Sequence, residues 1–193
     1  MSNQKRVIIF NGPPGNGRDR VLRELQEIAS FGYHHLFKYI VEEAKLDNTN
    51  LTKINILDFY DSQPEKMEQY RLKAIQKINH EINKAGGVHV VSTPVHFEWK
   101  GNRFQGLTEN DVQLLNPDMF IIIFDDIVRV RDRLSKDDQW QNHKFTLGEI
   151  ANWRREEVNH VYRLAESFIP KRNIQMVAFE NGPELVRDLI YKP

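Results

Sequence analysis

The chain has 193 residues, with 27 Lys plus Arg against 27 Asp plus Glu, and no Cys. That length suits one domain (1–193) with a substantial core. The interspersed, balanced charge favours neither a nucleic-acid polymer nor a membrane as partner, and the missing thiols exclude disulfides, thiolate metal sites and cysteine nucleophiles. No signal-type segment opens the chain and no apolar run nears the ~20 residues of a membrane span, so the expectation is a cytoplasmic protein whose function lies in a local site.

Val7 to Phe10 is an unbroken apolar run, the pattern of a strand covered on both faces. It leads directly into GPPGNGRD, residues 12 to 19, and then Val21, Leu22, Leu25, Ile28 and Ala29 recur at helical spacing. A second helical segment, LFKYIVEEAKL, is followed by residues 48 to 64, which have no clean period and predict no strand. From Pro64 to Ala85 a long helix places Met67, Arg71, Ala74, Ile75, Ile78 and Ile82 on one face, and Gly86-Gly87 ends it.

Val88 to Val91 predicts the next strand, and residues 92 to 107 a loop with room for a small hairpin. Thr108 caps a short helix reaching Leu115. MFIIIF, residues 119 to 124, is the strongest buried-strand signal and ends in Asp125-Asp126, before the arginine-rich helix IVRVRDRL. The polar stretch from Lys136 to Phe145 is a lid candidate, about 136–146. Thr146 and Glu149 form a capping box for a long helix ending before Pro170, Ile174 to Phe179 is the last strand, and Pro183 opens the closing helix. This alternation predicts a three-layer α/β P-loop fold, with a mostly parallel central sheet and helices on both faces.

A phosphate-binding loop of the form G-x-x-x-x-G-K-[ST] cradles phosphates with backbone N–H groups, neutralises them with Lys and holds Mg²⁺ through a hydroxyl. Gly12, Pro13, Pro14, Gly15, Asn16 and Gly17 keep that frame, but Arg18 replaces Lys and Asp19 replaces Ser or Thr. The bland alternative is a glycine-rich turn; the strand before and amphipathic helix after favour phosphate binding. A carboxylate beside phosphates repels them unless a cation lies between, so either Asp19 ligates Mg²⁺ or nucleotide binding is weakened. The strand VHVV ends at Ser92 where an Asp is usual, so Asp19 and Ser92 are candidates for exchanged metal-binding roles. Asp125 is a third metal candidate, and Asp126 a helix cap.

Other constellations are weaker. The pair His34-His35 lacks metal-ligand spacing. His96 and Trp99 could meet a base in the cleft or simply anchor their loop. Arg129 and Arg133 share a helix face, whereas Arg131 suits a solvated surface.

Several stretches occur in the order seen in nucleoside monophosphate kinases: SFG at 30 to 32, the helix carrying QKI, VVST, KGNRFQGL followed by LLNPDMFIII, and RDRLSKDD before a long helix. The chain resembles the archaeal-type adenylate kinases most closely. Phage-type deoxynucleoside monophosphate kinases are also similar, with a Gly-Lys-Asp loop ending and counterparts of Phe31, Leu36 and Lys38. The resemblance implies transfer of the γ-phosphoryl of ATP, with Mg²⁺, to a nucleoside monophosphate held by a segment of about 30–85. Arg18, Arg133 and Lys136 would serve the transferring group and Arg71 the acceptor phosphate, with Ser92 and His96 also lining the acceptor side. Gln139 and Gln141 stand where further lid arginines belong; Lys136, His143, Lys144, Arg154 or Arg155 could substitute. The alternative is a nucleotide-binding protein that keeps the fold with impaired catalysis.

Overall fold

A computed structural model describes residues 5–100, 102–166, 168 and 173–191. Its main sheet has five parallel strands. β1 (Arg6–Asn11) is central, between β3 (Val88–Ser92) and β6 (Met119–Phe124); β2 (Gly32–His35) forms one edge beside β3, and β7 (Ile174–Ala178) the other beside β6. The chain is thus an α/β protein of the expected P-loop type.

Successive side chains of a strand point to opposite faces, and here both faces are covered. Val7, Ile9, Val91, Phe120 and Ile122 enter one core, while Ile8, Phe10, Val90, Ile121 and Ile123 enter the other. The second face is closed by α1 (Arg18–Ile28), through Val21, Leu22 and Leu25, and by α8 (Gly182–Tyr191), through Val186 and Ile190. The first carries α2 (Leu36–Leu46), α3 (Ile56–Ser62) and α4 (Pro64–Ala85), with α5 (Glu109–Leu115), α6 (Ile127–Leu134) and α7 (Leu147–Ala165). Each such fully buried aliphatic or aromatic side chain contributes roughly 1.5–3 kcal/mol relative to exposure.

Residues 48–64 contain no strand; instead α3 turns Ile56, Leu57 and Tyr60 inward. The edge strand is GYHH at 32–35, which hydrophobic patterning passes over. His34 is buried there, with Nε2 3.1 Å from Nδ1 of His89 and Nδ1 2.9 Å from the Tyr39 hydroxyl. Gly32 makes room, since a Cβ on it would lie 2.3 Å from the His89 ring.

Residues 92–107 do hold a hairpin, β4 (His96–Trp99) paired antiparallel with β5 (Asn102–Gln105). Capping boxes at Thr108–Asp111 and Thr146–Glu149 start α5 and α7, and the Asp126 carboxylate accepts from Val128 and Arg129 to start α6. β7 stops one residue before the expected end because Phe179–Asn181 forms a 3-10 turn. Pro170 lies outside the described residues. Among those described, no helix is long and apolar enough to cross a membrane.

Candidate functional site

β1 ends at the carboxyl edge of the sheet, and the chain turns at once into α1 through Gly12 to Gly17. Gly17, the residue before the helix, has φ 82°, and a Cβ there would stand 2.3 Å from the Phe179 ring, so both backbone angle and packing require glycine. Asn16 is buried and fixes the loop from within: its Nδ2 donates to the Pro13 carbonyl, and its Oδ1 accepts from the Asp125 amide at 3.0 Å. Among the described residues the amides of Gly15, Gly17, Arg18 and Asp19 donate to no protein acceptor. Unpaired amides at a helix N-terminus form an anion site, with the helix dipole adding to it.

The loop opens onto a cleft of about 570 Å³. Pro13, Pro14, Gly15, Asn16, Gly17, Arg18 and Asp19 form one end, Ser92 and Thr93 the floor, and Arg133, Lys136 and Trp140 the opposite rim. The cleft thus gathers Arg18, Asp19, Ser92, Arg133 and Lys136; Gly12 sits one residue behind its lining. Arg18 Nε lies 3.3 Å from Asp19 Oδ1, and His35 Nε2 lies 3.4 Å from the other carboxylate oxygen. Partial burial opposes ionisation of Asp19, but the His35 hydrogen bond and the Arg18 and His35 charges outweigh it and hold its carboxyl below the usual range. Ser92 Oγ is buried without a hydrogen bond, although the nearby Tyr33 phenol is weakly perturbed by it.

Arg71 and His96, expected at the site, are placed elsewhere, and Asp125 lies just behind the loop. Arg71 is 2% exposed between α4 and α5, paired with Glu68 and with the buried Asp111. It belongs to the same inward stripe of α4 as Met67 and Ala74, which carries its guanidinium into the core rather than to the cleft. His96 is buried beside Glu157, with Nδ1 3.0 Å from Oε2, and does not line the cleft. Asp125 is also buried, and each of its oxygens meets an arginine: Arg129 donates to one at 2.6 Å and Arg133 to the other.

Glu157 explains the position of His96. It is fully buried on α7 and accepts from Asn11 Nδ2 at 3.1 Å, from the Val95 amide at 2.9 Å and from the His96 amide at 3.1 Å. One carboxylate therefore ties the end of β1 to the start of the hairpin. Trp99 anchors as well, donating to Asp58 and packing edge-on against Trp140. Trp140 in turn packs on Trp153 and Phe145, which pins the centre of the 136–146 segment.

Sequence reasoning passed over His35, Lys53 and Phe179. His35, one of a histidine pair in the sequence, is the last residue of β2, at the carboxyl edge of the sheet. Lys53 lines the cleft and meets Asp137 at 2.6 Å, joining the α2–α3 connection to the lid segment. Phe179 is flanked by the guanidinium groups of Arg20 and Arg133 at 5.4 and 5.0 Å from its ring centre. No local sequence signal marks either of them.

No family model matches this sequence, and no curated protein matches it. Solved structures do share its fold. Shikimate kinase from Bacteroides thetaiotaomicron is 12% identical, with a TM-score of 0.56 over 97% of this chain and 99% of that one. A tunicamycin resistance protein from Deinococcus radiodurans is also 12% identical at 0.56, over 97% and 94%. Shikimate kinase from Acinetobacter baumannii, in complex with shikimate, is 13% identical at 0.53, over 96% and 88%. At these identities the likeness is one of fold: the chain shares the α/β fold of these proteins, and that likeness does not point to the adenylate kinase type specifically.

Proposed function

We propose that this chain is a phosphotransferase that moves the γ-phosphoryl of ATP to a small acceptor in the cleft beside the loop. The observation that carries the proposal is the set of unpaired amides at Gly15, Gly17, Arg18 and Asp19, opening onto a cleft that also holds Arg18, Arg133 and Lys136. The amides and helix dipole would hold the donor phosphates, and the three cations would offset charge on the transferring group.

Asp19, kept ionised and facing the cleft, fits a Mg²⁺ role, with the Ser92 hydroxyl as its partner. Bound there, Mg²⁺ would neutralise phosphate oxygens. Among the described residues no three His, Asp or Glu side chains cluster as metal ligands, so most of its shell would come from phosphates and water, the usual habit of this ion. The nucleoside monophosphate acceptor implied by the sequence resemblance needs cations beyond the loop. Arg71, its expected partner, is committed to Asp111.

A second reading, nucleotide binding without transfer, is favoured by the pairing of Arg133 with Asp125, which leaves that guanidinium only partly available. Incubation with γ-labelled ATP and pooled small hydroxyl compounds separates the two. Label in an acid-stable organic phosphate is the result expected; ATP binding with label appearing only as inorganic phosphate would support the second reading.

A further inference from the structure

The acceptor end of the cleft differs in character from the phosphate end. Phe37 and Ile40 of α2, Ile56 and Tyr60 of α3, Phe97 of β4 and Trp140 of the lid face the space beyond Ser92. Their packing is fixed rather than collapsible: Tyr60 meets Phe97 edge-on at 5.0 Å between ring centres, and Phe104 backs both rings at 5.4 and 5.5 Å. Burial pushes the Tyr60 phenol up to about 12, so it stays uncharged.

The cations are distributed just as unevenly. Arg18, Arg20, Arg133 and Lys136 lie at the loop and on the lid rim, where donor phosphates would sit. On the acceptor side Lys53 is bound to Asp137 at 2.6 Å, and Arg71, buried on Glu68 and Asp111, does not line the cleft. An anionic head group placed there would lose its hydration against aromatic rings, with Lys53 engaged by Asp137 and the other described lining cations, Arg18, Arg20, Arg133 and Lys136, given to the donor phosphates, and burying an unpaired charge is strongly unfavourable. An uncharged ring meets the opposite balance, gaining apolar burial and edge or face contacts with Phe97 and Trp140.

We infer that the acceptor is an uncharged, ring-bearing alcohol rather than a phosphate ester or carboxylate. This rests on the phosphotransferase reading for the reaction itself, while the binding preference stands on the cleft alone. In the reaction the alcohol oxygen forms a bond to the γ-phosphorus and the bond from that phosphorus to the β–γ bridging oxygen breaks. Its electron pair leaves with ADP, and the hydroxyl proton is released to solvent.

The test uses the full chain and matched pairs of probes: thymidine with thymidine 5′-monophosphate, phenyl β-glucoside with phenyl β-glucuronide, and benzyl alcohol with benzoate. Binding is read from the Trp140 indole resonance, assigned with Trp140→Phe, both with and without Mg²⁺–ADP. The neutral member of each pair is expected to perturb Trp140 at a concentration at least tenfold below its anionic partner. Asp137→Asn, which frees Lys53, is expected to narrow that gap at least threefold through the anion alone. Anions binding as well as or better than the alcohols, no perturbation of Trp140 by any alcohol at millimolar concentration, or an unchanged gap in Asp137→Asn would each overturn the inference. Failure of ADP to bind while the neutral preference holds would count against the phosphotransferase reading and leave the acceptor class supported.

Discussion

Arg133 reaches back from α6 to the carboxylate of Asp125 at the end of β6, while its guanidinium lies 5.0 Å over the ring of Phe179. The same carboxylate receives Arg129, and one of its oxygens also accepts the Asp126 amide at 2.7 Å. Asp125 therefore organises the arginines of the cleft rim.

Asp125→Asn tests that assignment. Breaking a fully buried pair costs about 3–5 kcal/mol; because Arg129 and Arg133 both reach solvent, a loss of about 2 kcal/mol is expected in urea unfolding. Mg²⁺ dependence of ADP binding should persist in this variant. Its disappearance would return Asp125 to the metal site.

Glu157→Gln should be costlier. The amide nitrogen of Gln would face one of the three donors that Glu157 now accepts, leaving a buried donor opposed by another. A loss of roughly 2–4 kcal/mol is expected by thermal or urea unfolding, the range for an unsatisfied buried charged-group partner. A loss under about 0.5 kcal/mol, typical of ordinary surface positions, would contradict the role given to this carboxylate.

His34 gives the fold a pH dependence of definite sign. Burial, with the neighbouring His89 charge, pushes its pKa from 6.5 down to about 4. Above pH 6.5 the imidazole is neutral in both states and costs nothing. Between about 6.5 and 4 it binds a proton in the unfolded chain but resists one in the fold, so stability is lost as the pH is lowered, by on the order of 3 kcal/mol in all. His34→Gln should flatten this slope when urea midpoints are compared at pH 7 and pH 4.5; an unchanged slope would place the titration elsewhere.

Asp19 acts in a lower window. Its carboxyl is held below the usual range, so the stability it contributes is complete above the unfolded pKa of about 3.9 and fades only as pH falls toward the folded value. ADP binding should consequently show no acid limb from Asp19 between pH 5 and 8, which a titration series in Asp19→Asn and the unsubstituted chain would check.

The sheet was readable where strands are apolar throughout, as in VIIF and MFIIIF, because burial on both faces leaves no other residue type acceptable. β2 was not, since its one buried position is His34, satisfied through Tyr39 and His89, contacts that only the folded chain makes. The loop frame was legible from its glycines. Arg71 carried its own warning, for the helical face that listed it with Met67 and Ile78 is the buried one. Its partner Asp111 lies 40 positions away, and such a pairing has no local signature; the same holds for Lys53 with Asp137 and for Phe179 beneath Arg133.

The account depends above all on the loop binding a nucleotide's phosphates. Calorimetric titration of Mg²⁺–ADP into the chain, Arg18→Ala and Gly17→Ala measures this directly. Binding in the unsubstituted chain should weaken at least tenfold in Arg18→Ala and more in Gly17→Ala, whose Cβ would be driven into the Phe179 ring at 2.3 Å. No binding at millimolar ADP, or equal affinity in all three proteins, would contradict it.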